Sequence, residues 1–475
     1  MRVLMLGWEY PPHISGGLGT ACEGLTQALA RRGIEIDFVV PRLYGKERAE
    51  HMQILGAADA RPYQAIRSHD SGAGNTDPDW MPAQSAAEES TAAPSLSRTI
   101  RTIAVPAMLK PYLDPETYEM LLEETGPVPG PAVASPPGPQ HDPPATPLGD
   151  EPPPKRAPAV PSTHRSEEHY GSDLFAEVAR YAATATRRVR GAQYDLVHAH
   201  DWMTFPAGAE IAARAGAPLV THVHSLEYDR AAGGADRDIV EVERRGLHEA
   251  TRVVAVSYYT RGLIHKIHGT DLEKISVVHN GVYTRETVKA YEKQRTSQGP
   301  IVLFLGRVTF QKGPEYFVEA AARVLRSVPD ATFVMAGSGD MLPRMKGMVE
   351  DLGIEDSFRF PGFVRGADLE RTFSTADVYV MPSVSEPFGI APLEAMSYDR
   401  PVVVSKQSGV SEVLRNALKV DFWDVDRMAS QIVGLLELPE LRRVIVDRAR
   451  EEIRHIHWDA AAEKLIPIYE SLVTH

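Results

Sequence analysis

A single cysteine, Cys22, leaves this 475-residue chain without an intramolecular disulfide and fits a reducing compartment. It lies in a helical stretch and reads as a small buried residue rather than a nucleophile. Long apolar runs are missing too. None approaches the ~18 residues that a membrane span requires, and residues 3–7 are too short for the apolar region of a secretory signal. The expectation is therefore a cytoplasmic protein with no integral membrane segment. A basic excess is likewise absent: 51 Lys and Arg against 64 Asp and Glu give a net charge of −13. That argues against nucleic acid or an anionic membrane as the main partner, but not against a small anion, which needs only a local positive patch. The remainder, 43% apolar and 24% charged, is ordinary for a globular chain, and the length suits two large domains.

Short apolar runs at residues 2–7 and 35–40 flank a helical segment at 20–32 that ends at Gly33, a strand-helix-strand unit. Further buried parallel strands are predicted at 196–199, 219–223, 252–256 and 275–278. Between them stands an interruption with 14 prolines among the 35 residues from Pro127 to Pro161, flanked by a stretch rich in Gly, Ala, Ser and acidic residues. Such a composition buries too little apolar surface to offset chain entropy, so disorder is expected over about 70–165, with ordered islands at 111–122 and 171–190. A plain spacer suits it better than an SH3-like ligand. A second alternating series follows, with strands at 301–306, 332–336, 358–361, 378–381 and 402–405 and helices starting near Pro314, Asp340, Leu369 and Ile390. The fold class is α/β: two Rossmann-like doubly wound domains, residues 1–283 and 300–455, facing across a cleft. Ligands bind at the carboxyl ends of such strands, and the motifs collect there.

The most informative run is Val380 to Met396, which reads as strand, glycine turn and helix, with Glu386 and Glu394 spaced E-x7-E. Pro387 and Gly389 place Glu386 ahead of the helix, and Pro392 fits only its first turn. The helix then begins near Gly389 to Ala391, where backbone N–H groups favour an anion. One carboxylate reaches into a cleft beside that seat and the other hangs from the early helix, an arrangement that suits a sugar nucleotide. Arg307, at the end of the strand from Ile301, and Lys312, before the next helix, are a plausible pyrophosphate clamp, since fixed cations stabilise the charge of a departing nucleoside diphosphate. Two solvated loop charges are the bland alternative.

In the first half, Gly16 and Gly17 follow the first strand and permit close backbone approach to a phosphate or sugar, although a plain turn is equally consistent. The stretch lacks the G-K-[ST] of a P-loop and the G-x-G-x-x-G dinucleotide spacing. His198 and His200 share one face of a strand, so a metal site with His222 and His224 must be weighed. With no cysteine cluster beside them, His200 and Asp201 read as cleft groups that hydrogen-bond sugar hydroxyls, and His222 as structural. Asp424-Val-Asp426 and Asp236-Arg-Asp238 have the D-x-D spacing of some metal-using sugar-transfer enzymes, but Asp424 stands where a helix cap belongs and the other pair lies in a polar loop leading into a helix, so capping and solvation are the favoured reading of both.

Together Ser15-Gly16-Gly17-Leu18, His198 to Trp202, His279-Asn280-Gly281-Val282, Gly306-Arg307 with Lys312-Gly313, Gly337-Ser338-Gly339 and Glu386 to Glu394 resemble the retaining family-4 glycosyltransferases of the GT-B fold, and more narrowly bacterial glycogen and starch synthases. The resemblance implies that Arg307 and Lys312 hold the donor diphosphate, that Glu386 contacts the transferred sugar and Glu394 the ribose, and that His200 lies at the sugar. It implies further donor contacts from Gly16, Gly17, Asp201, Phe388, Gly389 and Ile390, with the base near Phe363 and Val364. It also implies front-face attack with retention and no metal or other cofactor, the nucleotide-sugar being a substrate. The segment 456–475 should cross back onto the first, acceptor-side domain. The expected reaction moves glucose from ADP- or UDP-glucose to an α-1,4-glucan end; alternatives are a hexosyl or mannosyl transfer to a cell-surface polysaccharide or small acceptor, a sugar-nucleotide epimerase and a non-catalytic glucan-binding module. Two departures bear on the donor and acceptor: Ile14 stands where glycogen synthases usually carry lysine, and Ser408 where a glycine pair is common.

Overall fold

The structure is a computed structural model that describes residues 1–11, 17–41, 52–55, 100–104, 174–231, 234–283 and 299–473. Strands rich in Val, Ile and Leu, which bury both faces, are bound to form parallel sheets with helices on either side. Two result, and every strand pair within them is parallel. The first contains β1 (Arg2–Leu6), β2 (Glu35–Val40), β3 (Met52–Leu55), β4 (Ile100–Ala104), β5 (Leu196–His200), β6 (Leu219–Val223), β7 (Arg252–Ala255) and β8 (Ile275–Val277). Its order is β3-β4-β2-β1-β5-β6-β7-β8. The second contains β9 (Ile301–Leu305), β10 (Thr332–Ala336), β11 (Phe358–Gly362), β12 (Val378–Met381), β13 (Val402–Ser405) and β14 (Leu418–Val420), in the order β11-β10-β9-β12-β13-β14. That is the doubly wound order in which the chain starts at the centre, fills one side and then the other, and ligands bind where the direction reverses. The reversals fall between β1 and β5 and between β9 and β12.

The expected strands agree with those observed to within a residue or two, and three strands were not foreseen. β14 is only three residues long. β3 and β4 extend the first sheet beyond β2, and β4 lies inside the stretch expected to lack structure. Its Ile100-Arg-Thr-Ile-Ala sequence carries β-branched residues that a reading of bulk composition passed over. The proline-rich segment itself and the island at 111–122 lie outside the described residues, as do Ile14 and Gly16.

The C-terminal helix Trp458–Val473 does return to the first half. Trp458, Leu465 and Tyr469 are buried with Leu25, Leu29 and Phe38, and a side chain of that size contributes roughly 2–3 kcal/mol on leaving water. Arg31 and Arg32, at the end of the helix Gly17–Arg31, pair with Asp459 at the start of the returning helix. The chain that leads into this helix is tied by a parallel bridge from Val282 to His457 and by the Val282 N–H to the Ile456 carbonyl, 3.1 Å.

Candidate active site

At the second switch point, β9 delivers Arg307, and β12 delivers the loop that carries Glu386. Lys312 sits between them in a single 3-10 turn, Phe310–Lys312, before the helix Pro314–Val324. The Lys312 ammonium pairs with Glu386 Oε2, and Ser383 Oγ adds a hydrogen bond to the same oxygen at 3.3 Å. Arg307 Nη2 donates to the buried Gln311 Oε1 at 3.1 Å, which holds the guanidinium over the turn. Lys312 and Glu386, both expected from the sequence, are thus brought together, and Arg307 is tied to the residue before Lys312.

The helix after Glu386 spans Ala391–Ser397 with Pro392 in its first turn, one residue from the expected start. Gly389 turns into it at φ +96°, a conformation that only glycine adopts without strain. At seven residues its dipole is small, so basic side chains must supply most of the field for an anion. Glu394 projects from its first turn. Glu386 and Glu394 both act on the buried Tyr379 phenol, whose pKa is pushed up by burial first and by these two carboxylates next. Phe388 is buried in the core with Met381 and Leu393, and Val364 and Ile390 pack partly buried against that same cluster. Phe388 therefore offers a ligand its backbone rather than its ring, whereas Phe363 is half exposed.

The first switch point carries Glu9 after β1 and Asp201 after β5. Glu9 Oε1 accepts the Gly19 N–H at 2.9 Å, so a carboxylate caps the helix that begins at Gly17. Asp201 has φ +60°, a strained state for a residue with a side chain and one that tends to persist at functional sites. Its Oδ1 accepts from the His224 and Ser225 N–H groups at 2.6 and 3.3 Å. Burial raises its pKa to about 7, against the opposing pull of Arg230 and these amides.

His198 and His200 on β5 stand beside His222 on β6 and His224 just past its end and form a block of stacked rings, with centroids 4.3–5.3 Å apart in the stacked pairs. Nitrogens of His198, His200 and His222 lie within 4.8 Å of one another. The rings of His198 and His222 are 6° from parallel, and those of His200 and His222 30°. A metal takes each imidazole along its in-plane lone pair, and stacked rings send those lone pairs side by side rather than to one point. His198 Nδ1 meets the Tyr469 hydroxyl of the returning helix, and His200 Nδ1 meets His224 Nε2 at 3.0 Å. Burial drives the pKa of His198 and of His224 down to about 3 and that of His200 and His222 well below the usual value, so all four are neutral. His200 is fully enclosed, so its ring is not open to solvent. The two D-x-D pairs are helix caps: Asp424 Oδ1 accepts from the Arg427 N–H, and Asp236 Oδ1 from the Asp238 and Ile239 N–H groups.

The halves meet beyond the carboxyl ends of β6 and β7 in the first and of β12 and β13 in the second, through contacts that the residue pattern alone did not single out. Ser257 Oγ and Thr260 Oγ1 donate to the Pro387 carbonyl at 2.6 and 3.2 Å. Ser385 Oγ donates to Asp229 Oδ1 at 2.6 Å. Glu412 accepts the N–H groups of Tyr258 and Tyr259 at 2.9 and 2.6 Å, capping the helix Tyr258–His268 from the other half, and pairs with His279 at 3.0 Å. Asp229 follows β6 in Ser225-Leu-Glu-Tyr-Asp-Arg230, a polar strand end of the kind that should be searched for function.

Two doubly wound sheets that meet beyond the carboxyl ends of their strands, one bearing cations and carboxylates at its switch point, have the architecture of a two-domain sugar-transfer enzyme. Comparison with known proteins agrees. A family model for glycosyl transferases group 1 matches residues 288–452, one for glycosyltransferase family 4 matches 143–286, and one for the starch synthase catalytic domain matches 2–77. An uncharacterized glycosyltransferase of Methanocaldococcus jannaschii is 27% identical over 99% of this chain and 98% of its own. The D-inositol 3-phosphate glycosyltransferase of Acidothermus cellulolyticus is 31% identical over 58% of this chain and 67% of its own, and the glycogen synthase of Mycobacterium tuberculosis 26% over 58% and 68%. Among solved structures, sucrose-phosphate synthase from Thermosynechococcus elongatus superposes with a TM-score of 0.65 at 18% identity, covering 100% of this chain and 99% of that one. Anabaena HepE in complex with UDP-glucose does so at 0.60 and 17%, covering 99% and 100%. The chain belongs to the GT-B glycosyltransferases and resembles their glycogen and starch synthase members. Among the described residues no helix is long and apolar enough to cross a membrane.

Proposed function

We propose that this enzyme transfers glucose, with retention, from UDP- or ADP-glucose to the end of an α-1,4-glucan. The observation that carries the donor half of this reading is the cluster of Arg307, Lys312 and Glu386 at the switch point between β9 and β12. A nucleoside diphosphate leaves as a concentrated negative charge, and two preplaced cations stabilise that charge as it develops. Lys312 has three N–H groups, so it can keep Glu386 in place while turning toward a phosphate. Glu386, held between Lys312 and Ser383, then accepts from hydroxyls of the transferred sugar, and Glu394, eight residues on in the first turn of the helix, from the ribose. Gly17, Gly389, Val364 and Ile390 would border the donor, with Asp201 on the opposite wall and His200 behind it. No step in this reading requires a metal or other cofactor. A cytoplasmic setting goes with the single buried cysteine.

The acceptor rests on the likeness to glycogen and starch synthases. A second reading, hexosyl transfer to a small hydroxylated acceptor, is favoured by the 31% identity to a D-inositol 3-phosphate glycosyltransferase. One screen separates them: release of UDP or ADP from UDP-glucose, ADP-glucose and other nucleotide-hexoses, each with glycogen, with inositol phosphate and with no acceptor. Glycogen-stimulated release supports the first reading, and release stimulated only by the small acceptor replaces it. Conversion of the sugar nucleotide without transfer would overturn both.

A further inference from the structure

The residues on either side of Glu386 are held by side chains from the other half of the molecule. Asp229, almost fully buried, accepts the Leu226 N–H on Oδ2 at 2.8 Å and the Ser385 hydroxyl on Oδ1 at 2.6 Å. Because Ser385 Oγ donates its proton to Asp229, it accepts from the Tyr259 hydroxyl at 2.9 Å. Two residues along, the Pro387 carbonyl takes the hydroxyls of Ser257 and Thr260. Glu386 itself is fixed through its backbone within its own half, its N–H to the Gln407 carbonyl and its carbonyl to the Gly409 N–H, both 2.9 Å. The loop is therefore seated from two sides, and one side exists only while the halves are together.

Burying a carboxylate costs free energy unless its partners compensate for it. Burial raises the Asp229 pKa to about 6, with bonds from Ser385 and Leu226 and the charge of Arg230 opposing that rise and Glu386 adding to it. A hydroxyl or amide would bridge the seam without that desolvation cost. A carboxylate makes the stronger acceptor, and it spends that strength on the residue next to Glu386.

We propose that Asp229 is a positioning residue that acts through Ser385 to hold Glu386 in register with Lys312 when the halves close. This rests on the donor-site reading above. It makes one side of the seating of Glu386 depend on closure, so that a donor held in an open molecule is less committed to reaction. Loss of the bond leaves diphosphate binding by Arg307 and Lys312 in place but displaces the group that meets the sugar, and a misplacement of ~1 Å can cost about a hundredfold in rate.

The test uses the full chain with Asp229→Ala, Ser385→Ala, the double variant and Asp229→Asn, which keeps an oxygen for the Ser385 hydroxyl. Two measurements are made: kcat and KM from UDP release with UDP-glucose or ADP release with ADP-glucose, and amide hydrogen exchange over residues 385–388 without ligand. The expected result is a fall in kcat of about 10- to 100-fold in each alanine variant with KM within about threefold. The double variant should be no worse than the poorer single one, Asp229→Asn should recover most of the rate, and exchange over 385–388 should accelerate while β9 and β10 stay protected. Additive losses, a change in KM alone, no recovery in Asp229→Asn or unchanged exchange would each overturn the proposal. If the wild type turns over neither nucleotide-sugar, the donor reading fails instead, and the exchange measurement still decides whether Asp229 seats the loop.

Discussion

Glu412 caps a helix that belongs to the opposite half of the molecule: its carboxylate takes the Tyr259 N–H at 2.6 Å and that of Tyr258 at 2.9 Å. A cap that comes from another domain does double duty, satisfying helix donors and latching the halves. Glu412→Ala should lower stability by about 0.5–2 kcal/mol, the usual loss for a helix cap. It should also widen the molecule in solution scattering without ligand. A compact scattering profile in the variant would show that the latch contributes nothing to closure.

Gly409 lies in the same seam. A Cβ there would stand 2.2 Å from the Pro387 carbonyl oxygen and 2.4 Å from Ser257 Cβ, one contact in each half. Neither partner is the free end of a flexible side chain, so Gly409→Ala must part the seam. Its expected signature is loss of turnover by tenfold or more with the unfolding midpoint changed by only a few degrees, because each sheet keeps its own core. Wild-type turnover in this variant would mean that closure tolerates the gap.

At the proposed donor site, Lys312→Ala removes a preplaced cation and Glu386→Gln the charge of the carboxylate that orients it. Each should lower kcat by about a hundredfold to a thousandfold. Lys312→Ala should also raise KM for the nucleotide-sugar, while Glu386→Gln should mainly lower kcat, a split readable in one set of initial-rate measurements. Equal effects on KM in both variants would remove Glu386 from the sugar.

The histidine block makes stability sensitive to acid. His198 and His224 titrate near 3 when folded and near 6.5 when unfolded. Below about pH 6.5 the unfolded chain binds protons that the folded one refuses, and stability falls as pH drops toward 3. Asp201 works the other way. Its folded pKa of about 7 lies above the unfolded value, so between about pH 4 and 7 the folded state holds the extra proton and gains stability as pH falls. Asp201→Asn removes that opposing contribution. Urea unfolding at pH 5 and pH 7.5 should show a larger drop in midpoint for the variant than for the wild type. An equal or smaller drop would contradict the raised pKa of Asp201.

Much of this was legible in order along the chain. Val378–Met381, Thr332–Ala336 and Leu219–Val223 are apolar runs between turn residues, and such runs in alternation with helices admit few arrangements other than parallel sheets. Pro392 and Gly389 placed the start of one helix to within a residue, because both act through local backbone geometry. Arg307, Lys312 and Glu386 could be named as candidates because strand ends are where doubly wound sheets bind ligands.

His200 shows where that reasoning stops. Strand alternation put it on the same face as His198 and could not tell that His224 would meet His200, or that Tyr469, from a helix at the far end of the chain, would meet His198. Asp229, Ser385 and Glu412 escaped for the same reason: nothing local distinguishes a polar loop residue in water from one pressed against another domain. Local propensity and periodicity are short-range and are written in neighbouring residues, so the sequence by itself determined the elements, their sheets and the chemistry waiting at their ends. Burial and partnership between distant residues arise only when separate segments pack together. The tertiary structure alone decided which carboxylates face each other across the seam, which imidazoles are sealed from water, and what seats the loop of Glu386.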